Sequence, residues 1–305
     1  MIDKELEEVV NEELFDSRAK KGYNSEKQMA FYLKRKFFDN PEIHVLNNLN
    51  IKTVNQEGFF QIDHLIITKY CFIIVESKTS NSHLKYDDNL QWSCFEQTTQ
   101  KWVGIKSPMV QAEMQGDALR KVLQENRENL RMKRLNMQGG FITLPIHTLV
   151  AVSDSGIIDY GESNEEYRKN VLKADLIPKR IVEIFENYKK SDSKINAILD
   201  KAPDYVLPDK DVDKIIQYIL ELHHVKAAYL KLEYVPLPKC EACNNSFGIQ
   251  YNSRVKLYEL VCKKCGQVKR MNYKCQKCGG ELKIRMFNRI PVVGCETCDK
   301  YGKLG

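Results

Sequence analysis

The sequence predicts a mixed α/β body followed by two small cysteine-rich modules. Apolar residues recur at helical spacing before residue 40 and again after residue 107, whereas short β-type runs fill residues 43–105. Eight of the ten cysteines lie in four C-x-x-C pairs after residue 238. A chain of 305 residues is long enough for one sizeable core and one or two appended modules.

Two helices are predicted before the first strand. Apolar residues at helical spacing predict an amphipathic helix over residues 2–19, which Gly22 ends. Asn24 or Ser25 can cap a second helix, so that Glu26 falls in its first turn. A carboxylate at this position either interacts favourably with the helix dipole or serves a function.

Five runs of β-type residues, separated by turn-like clusters, predict a mostly antiparallel meander. The runs are Ile43–Ile51, Phe59–Thr68, Cys71–Thr79, Asn89–Phe95 and Lys101–Ile105. Ser107 followed by Pro108 then predicts a helix, because Ser caps helices and Pro suits the first helical position. The later elements are a strand at Thr148–Val152 and amphipathic helices at Ile177–Tyr188 and Val212–His223.

The four C-x-x-C pairs predict two structural zinc sites, because each C-x-x-C turn directs two thiolates at one ion and two turns complete a tetrahedron. Sequential pairing keeps both loops at zinc-ribbon length, although the two middle pairs could instead share a metal. The first site would use Cys240, Cys243, Cys262 and Cys265, and the second Cys275, Cys278, Cys295 and Cys298. Cys71 and Cys94 lie alone in predicted strands and are interpreted as structural thiols.

The cysteine-rich part of the chain is basic. From Lys239 onward it has 14 Lys/Arg and 5 Asp/Glu, a net charge of +9, whereas the first 238 residues carry −3. Eight thiolates on two zinc ions would leave about +5. Cations interleaved with aromatic residues favour nucleic-acid binding, although the aromatic side chains could instead form the small core of each ribbon. The cations predicted to bind nucleic acid are Lys256, Lys263, Lys264, Lys269, Arg270, Lys283 and Arg285.

Asp63, Glu76 and Lys78 form a candidate metal-dependent catalytic site. Glu76 and Lys78 are two residues apart in a predicted strand and therefore on one face, and a hairpin can bring Asp63 beside them. Two carboxylates suit Mg²⁺ (or Mn²⁺), a hard cation that prefers oxygen ligands. Lys78 can orient or help deprotonate an attacking water. The spacing alone also fits a surface ion pair between Glu76 and Lys78.

Four motifs in a fixed order make the sequence resemble the nuclease-related domain, NERD, of the PD-(D/E)xK nuclease superfamily. They cover roughly residues 22–154, and they are Gly22-x-x-x-Glu26, Gln61-Ile62-Asp63-His64, Val75-Glu76-Ser77-Lys78 and Pro108-x-x-Gln111. The resemblance implies a restriction-endonuclease-like core with flanking helices. The cysteine modules likewise resemble the zinc ribbons at the C-terminal end of bacterial type I topoisomerases, which bind single-stranded DNA.

The resemblance also implies roles for five residues. Asp63 and Glu76 would be the metal ligands, and Lys78 the catalytic lysine. Glu26 would be the helix carboxylate of the catalytic set, and Gln111 a positioning residue on a later helix. His64 alternates away from Asp63 on the strand and is interpreted as a packed structural histidine.

These patterns predict five segments along the chain. They are an N-terminal helix at 1–21, a NERD-like nuclease domain at 22–190, a helical extension and linker at 191–238, and zinc ribbons at 239–270 and 271–305. The C-x-x-C pairs suit metal in a reducing compartment. The sequence shows no signal-peptide pattern and no run of about 18 apolar residues, so we expect a cytoplasmic protein without a membrane span.

We therefore expect a Mg²⁺-dependent nuclease that hydrolyses phosphodiester bonds, with DNA favoured as the substrate and the zinc ribbons binding it. The setting would be DNA repair or processing, or defence against foreign DNA, beside a helicase or another DNA-processing or defence partner. Two alternatives stay open: a nucleic-acid-binding protein on an inactive nuclease scaffold, and an adaptor whose ribbons bind other proteins. The choice between DNA and RNA, and the oligomeric state, also stay open.

Overall fold

The computed structural model describes residues 1–53, 58–79, 83–86, 91–96, 99–134, 137–161, 165–192, 205–270, 274–295 and 297–304. The chain divides into two compact units, Met1–Leu6 with Lys21–His224 and Glu7–Lys20 with Val225–Gly305. Helices and sheets together build the first unit, and short strands build most of the second, so the predicted mixed α/β class is confirmed. The five predicted segment boundaries remain predictions.

The strands of the first unit are β1 (Ile2–Lys4), β2 (His44–Lys52), β3 (Phe59–Ile67), β4 (Phe72–Lys78), β5 (His83–Tyr86), β6 (Trp92–Glu96), β7 (Lys101–Ile105), β8 (Lys133–Arg134), β9 (Met137–Gln138), β10 (Ile146–Val152), β11 (Ile157–Asp159) and β12 (Val171–Lys173). The α-helices up to residue 222 are α1 (Ser17–Phe37), α2 (Pro108–Glu125), α3 (Arg127–Leu130), α4 (Glu165–Asn170), α5 (Ile177–Ser191) and α6 (Asp209–Leu222).

Six strands form the central sheet in the order β1-β2-β3-β4-β10-β12. β2, β3 and β4 are antiparallel neighbours, in agreement with the predicted meander. In contrast, β1 joins β2 in parallel, and β10 and β12 continue from β4 in parallel. The long connection from β4 to β10 includes α2, as a crossover between parallel neighbours requires.

Helices cover both faces of this sheet. Ile66 and Ile73 pack with apolar residues of α1 and α5 on one face. Their neighbours Leu65 and Ile74 pack with apolar residues of α2 and α6 on the other. All four side chains are fully buried, because alternation along a strand sends successive residues to opposite, equally covered faces. The sheet therefore positions the polar residues in the middle of β3 and at the end of β4 within a rigid core.

The predicted helix over residues 2–19 is wrong. Ile2–Lys4 instead form β1, which pairs with β2, and Glu12–Leu14 form a single turn of 3-10 helix. The free edge of β2 provides backbone hydrogen-bonding groups for Ile2–Lys4. Its apolar residues are therefore placed by strand pairing and tertiary contacts rather than by helical periodicity.

Helix α1 also begins earlier than predicted. It starts at Ser17 and continues through Gly22, which costs a helix only about 1 kcal/mol relative to alanine. Ser25 does not cap a helix, since its Oγ donates to the carbonyl of Gly22 at 2.8 Å within the same helix. Glu26 therefore lies in the middle of α1 and not in a first turn.

A second sheet, in the order β11-β5-β6-β7, is formed largely by the segment between β4 and α2. The sequence predicts β6 and β7 but not β5 or β11, and residues 89–90 of the predicted strand Asn89–Phe95 lie outside the described residues. One face of this sheet is buried: Leu84, Tyr86 and Trp92 are each 3% exposed.

A buried ion pair ties α6 to the segment after α3. Nε of Arg131 lies 3.2 Å from Oδ2 of Asp211, whose side chain is 1% exposed. The guanidinium also donates to the carbonyl of Gly140 at 3.1 Å and stacks over the rings of Phe141 and Tyr205. Asp211 is therefore the carboxylate that offsets a largely enclosed positive charge.

We expect Asp211→Ala to lower the free energy of unfolding by about 3 kcal/mol, because it leaves the Arg131 guanidinium without its carboxylate. Urea denaturation followed by circular dichroism measures this change. Asp213→Ala is the matched control on the same helix, since Asp213 is exposed and its removal should change stability by no more than about 0.5 kcal/mol. Equal midpoints for both variants and the wild type would contradict the expected role of the ion pair.

The second unit contains two small sheets. Its strands are β13 (Glu233–Val235), β14 (Phe247–Asn252), β15 (Leu257–Cys262), β16 (Val268–Lys269), β17 (Lys283–Phe287), β18 (Ile290–Cys295) and β19 (Lys300–Leu304). The sheets have the orders β14-β15-β16 and β13-β19-β18-β17, each built around an antiparallel hairpin. Each hairpin belongs to one of the predicted ribbons.

The segment Glu7–Lys20 is an integral part of this second unit. Leu14 is 4% exposed and packs with Val292 of β18. The side chain of Asn11 donates to the carbonyl of Leu230 at 2.6 Å, and that of Asn288 donates to the carbonyl of Glu13 at 2.9 Å. Residues far apart in the sequence therefore share one small core.

Candidate active site and metal centres

Asp63 and Glu76 lie where β3 and β4 separate. The antiparallel ladder ends with the pair His64–Val75, so Asp63 and Glu76 stand one step beyond it. The backbone N–H of Ser77 donates to Oδ2 of Asp63 at 2.9 Å, and this bond replaces the missing ladder contact. The predicted hairpin thus brings Asp63 beside the Glu-Ser-Lys motif.

An irregularity in β2 lies opposite Asp63. Asn48 has a left-handed φ of 50°, and the paired residues on either side of it are Asn47–His64 and Leu49–Ile62. As a result, the alternation of side chains between the two faces of the sheet is interrupted at this point in both strands. Asparagine is one of the few residue types that adopts this conformation at low cost.

Glu76 is held between a helix and its own strand. Its side chain is 3% exposed, and Oε1 lies 2.7 Å from Nζ of Lys78. Oε2 accepts from Nε2 of Gln115 on α2 at 3.1 Å. Lys78 Nζ also donates to Oε1 of Gln111 at 3.2 Å, so both ends of this ion pair are anchored to α2. The pair is nearly buried on its carboxylate side, unlike a surface ion pair.

Helix α2 begins as predicted and carries a residue that sequence reasoning missed. Ser107 caps it by accepting from the N–H of Val110 at 3.2 Å, and Pro108 takes the first position. Gln115 follows Gln111 by four residues and therefore lies on the same helix face. That spacing was a usable signal, since a second glutamine on the face of Gln111 can reach the second oxygen of Glu76.

Two other carboxylate groups lie near Asp63 and affect its pKa. Burial is the largest cause that raises the pKa of Asp63 well above its usual range, followed by the charges of Glu76 and Glu26. The Ser77 hydrogen bond and the Lys78 ammonium act in the opposite direction but do not prevent the rise. Glu26 of α1 is therefore close enough for its charge to act on Asp63.

His64 has a structural role. It is fully buried, and its burial lowers its pKa to about 3, so the ring is neutral near pH 7. Nδ1 lies 2.7 Å from Oδ1 of Asn47, whose amide nitrogen donates to the carbonyl of Lys4. Nδ1 therefore carries the proton, and Nε2 accepts from Oγ of Ser77 at 3.0 Å. The ring thus holds Ser77, which in turn holds Asp63.

The eight cysteines of the four C-x-x-C pairs form two clusters with the predicted sequential pairing. In each cluster the four Sγ atoms lie within 4.8 Å of one another. Neighbouring sulfurs are 3.4 Å apart between Cys243 and Cys262 and 3.5 Å apart between Cys278 and Cys295. A Zn–S distance of about 2.3 Å would separate sulfurs by about 3.8 Å. Both clusters can hold a metal ion and are consistent with zinc ribbons.

The four C-x-x-C turns share one backbone conformation. The residue after each second cysteine has a positive φ: Asn244 (51°), Gly266 (72°), Gly279 (71°) and Asp299 (49°). In the turn at Cys240, the N–H of Asn244 donates to the Cys240 carbonyl at 2.8 Å, and Gly279 makes the same 2.8 Å bond to Cys275. Glycine, asparagine and aspartate are the residues that tolerate this conformation.

Backbone N–H groups prepare the first cysteine of two turns for metal binding. The N–H of Cys265, and then that of Lys264, lowers the pKa of Cys262 to about 6. The N–H of Cys278 and that of Lys277 lower the pKa of Cys275 to about 6 in the same way. A thiolate at neutral pH is the form that binds zinc.

The seven cations predicted to bind nucleic acid differ in their surroundings. Lys269 lies 2.6 Å from Oε1 of Glu241. Arg270 lies 3.0 Å from Oε1 of Glu259, so it compensates a carboxylate whose side chain is only 8% exposed. Arg270 is nevertheless exposed, as are Lys256, Lys263, Lys264, Lys283 and Arg285.

Fold and site together define an α/β domain with a buried acidic centre, followed by two four-cysteine modules. Residues 21–153 match the family model of the nuclease-related domain, NERD. The match covers the span of the four sequence motifs, so the predicted resemblance to this domain is confirmed. Neither the curated proteins nor the solved structures contain a match to the chain. No helix in the described part of the chain has the length and apolar character needed to cross a membrane.

Proposed function

We propose that this protein is a divalent-metal-dependent nuclease that hydrolyses phosphodiester bonds, with DNA as the favoured substrate. The observation that carries the proposal is the grouping of Asp63, Glu76 and Lys78 at the point where two core strands separate, within the residues that match the nuclease-related domain. A purely structural ion pair would not need a second buried carboxylate beside it. Burying two acids close together is unfavourable unless a cation compensates them.

The residues fit a hard divalent cation. Asp63 and Glu76 offer carboxylate oxygens, and Glu26 adds a third negative charge in the surroundings. Mg²⁺ and Mn²⁺ prefer oxygen ligands and commonly use one or two protein carboxylates. When bound, such an ion would stabilise the charge that develops on the phosphate.

Lys78 is placed to act on the substrate or on a water molecule. An ammonium has three N–H donors, and two of these are directed to Glu76 and Gln111. The Lys78 side chain is 26% exposed, so its remaining donor can reach a phosphate oxygen or the attacking water. Gln111 and Gln115 act as positioning residues, since they orient Lys78 and Glu76 through hydrogen bonds.

The cysteine modules would bind two structural Zn²⁺ ions and hold the nucleic acid. Their exposed lysines and arginines suit phosphate contacts, which weaken as the salt concentration rises. A cytoplasmic location, a role in DNA repair, processing or defence, and a helicase or similar partner are predictions from the sequence alone. They set the context in which the proposed activity would operate.

A cleavage assay tests this function. We expect the full chain to cut labelled DNA in the presence of Mg²⁺ or Mn²⁺, and Lys78→Ala to reduce the rate by about a hundredfold or more. Single- and double-stranded DNA and RNA should be compared in parallel. Lys121→Ala is the matched control, because Lys121 is an exposed lysine of α2.

Two outcomes would count against the proposal. If the wild type cleaves none of these substrates, the chain would instead be a nucleic-acid-binding protein or an adaptor on a nuclease-like scaffold. Undiminished cleavage by Lys78→Ala would leave an activity but remove Lys78 from its mechanism.

A further inference from the structure

The sheet β11-β5-β6-β7 carries a row of three ring-bearing side chains and one isoleucine that crosses all four strands. Ile157 of β11 pairs with His83 of β5, and Phe95 of β6 pairs with Trp102 of β7. The register of the β5–β6 ladder places His83 next to Phe95. Ring centroids are 6.1 Å apart between His83 and Phe95 and 5.6 Å apart between Phe95 and Trp102. We call these four residues the aromatic row.

The aromatic row lies on the outer face of the sheet. Ile157 is 56% exposed and Trp102 46% exposed, whereas Leu84, the neighbour of His83 in β5, is 3% exposed on the opposite face. Phe95, which lies between His83 and Trp102, is half-buried. Exposed apolar side chains grouped on one face of a sheet mark a binding surface. The row is therefore not needed to close the core of the first unit.

A second row lies on the same face, two residues along each strand from the aromatic row. Its side chains are small apart from one lysine. It comprises Lys85, Ser93 and Gly104, which are paired with one another across β5, β6 and β7. A side-chain carbon added at Gly104 would meet no atom within 4 Å. The aromatic row is thus bordered by an open strip with a lysine at one end. Lys106, the residue after β7, is also exposed.

The segment that forms β5, β6 and β7 is joined at both ends to elements of the candidate active site. β5 begins five residues after Lys78, and β7 ends three residues before the first residue of α2. The first turn of α2 carries Gln111, which contacts Lys78. A ligand on the aromatic row would therefore bind to the segment that joins the lysine of the site to its positioning helix.

We propose that the aromatic row is a stacking platform for unpaired bases, and that the substrate of the site is nucleic acid with a single-stranded segment. The inference rests on the proposed function, because it takes the ligand to be a nuclease substrate. Aromatic side chains stack on any base, and the neighbouring lysines suit the phosphates that connect those bases. A continuous duplex keeps its base faces stacked inside and cannot use the row in this way.

The geometry of the row limits how bases bind. The planes of neighbouring rings are turned by 72° between His83 and Phe95 and by 67° between Phe95 and Trp102. Bases therefore stack on individual rings and not on one flat surface. Each stacked base should strengthen binding by roughly tenfold, the size of effect found when a stacking aromatic residue is replaced by alanine.

Tryptophan fluorescence provides a direct readout. The chain has two tryptophans, and Trp92 is buried whereas Trp102 lies in the aromatic row. In a Trp92→Phe variant of the full chain, we expect an oligothymidylate of about 20 nucleotides to quench the fluorescence of Trp102 without added divalent metal. A matched oligonucleotide with abasic sugars keeps the phosphates and should quench far less. Equal quenching by the two strands, or none by either, would overturn the platform.

The affinity for oligonucleotides of variants that keep Trp92 gives a second test. Trp102→Ala should weaken binding of oligothymidylate by about tenfold and leave binding of a blunt duplex unchanged. Phe38→Ala is the matched control, since Phe38 is an aromatic residue that is 64% exposed outside this sheet. A change of oligomeric state in Trp102→Ala with unchanged DNA binding would identify the row as a protein interface and overturn the proposal.

The two proposals can fail separately. Base-dependent quenching without cleavage in Mg²⁺ or Mn²⁺ would support the platform and contradict the nuclease. Cleavage that is accompanied by equal binding of the normal and abasic strands would support the nuclease and contradict the platform.

Discussion

Glu76→Gln is expected to lower the rate of phosphodiester cleavage by about a thousandfold or more, equivalent to about 4 kcal/mol in the activation free energy. Both oxygens of Glu76 are engaged, one by Lys78 and the other by Gln115. The substitution keeps the side-chain shape but removes a negative charge from the proposed cation site. Single-turnover cleavage at saturating Mg²⁺ or Mn²⁺ measures the effect.

The same substitution should leave the fold intact. It removes the ion pair with Lys78, but it also removes a charge that raises the pKa of Asp63. These two effects oppose each other, so we expect the free energy of unfolding to change by no more than about 1 kcal/mol. Glu113→Gln, at an exposed position of α2, is the control for both measurements. Cleavage at the wild-type rate by Glu76→Gln would remove Glu76 from the catalytic set.

The core strands and the site motif could be predicted because local and long-range requirements agree there. Val75 and its apolar neighbours in β4 fit a strand buried on both faces, and the structure buries them between two helical layers. Glu76 and Lys78 keep the same face because side chains alternate. The separation of β3 and β4 at Asp63 is consistent with the predicted hairpin.

The N-terminal segment could not be predicted from periodicity. Its apolar residues recur at helical spacing, yet Ile2–Lys4 pair with β2, and Leu14 packs in the second unit. Partners distant in the sequence decide both placements. The positive φ of Asn48 and the hydrogen bond from Gln115 to Glu76 are likewise consequences of tertiary contacts. Sequence patterns therefore indicate which residues are functional more reliably than they indicate which residues support them.

Loss of metal from the two cysteine clusters is expected to unfold the second unit and leave the first folded. Each ribbon has a small core, and structural zinc contributes on the order of 10 kcal/mol or more to the folding of such modules. We expect about two zinc ions per chain by elemental analysis. Hydrogen exchange after chelation should show lost protection in the second unit only. Cys94→Ser, outside both clusters, is expected to retain the zinc content.

The N-terminal segment Glu7–Lys20 packs against the second cysteine module, so we expect loss of the second cluster, and not of the first, to release it. Cys295 ends β18, and the same strand carries Val292, which packs against Leu14. Cys295→Ser should therefore release the amides of Val10 and Asn11, both bonded to the carbonyl of Ala228, to faster exchange. Cys262→Ser in the first cluster should leave those two amides protected, because β15 belongs to the other sheet. Equal protection of Val10 and Asn11 in both variants would show that the second cluster does not hold this segment in place.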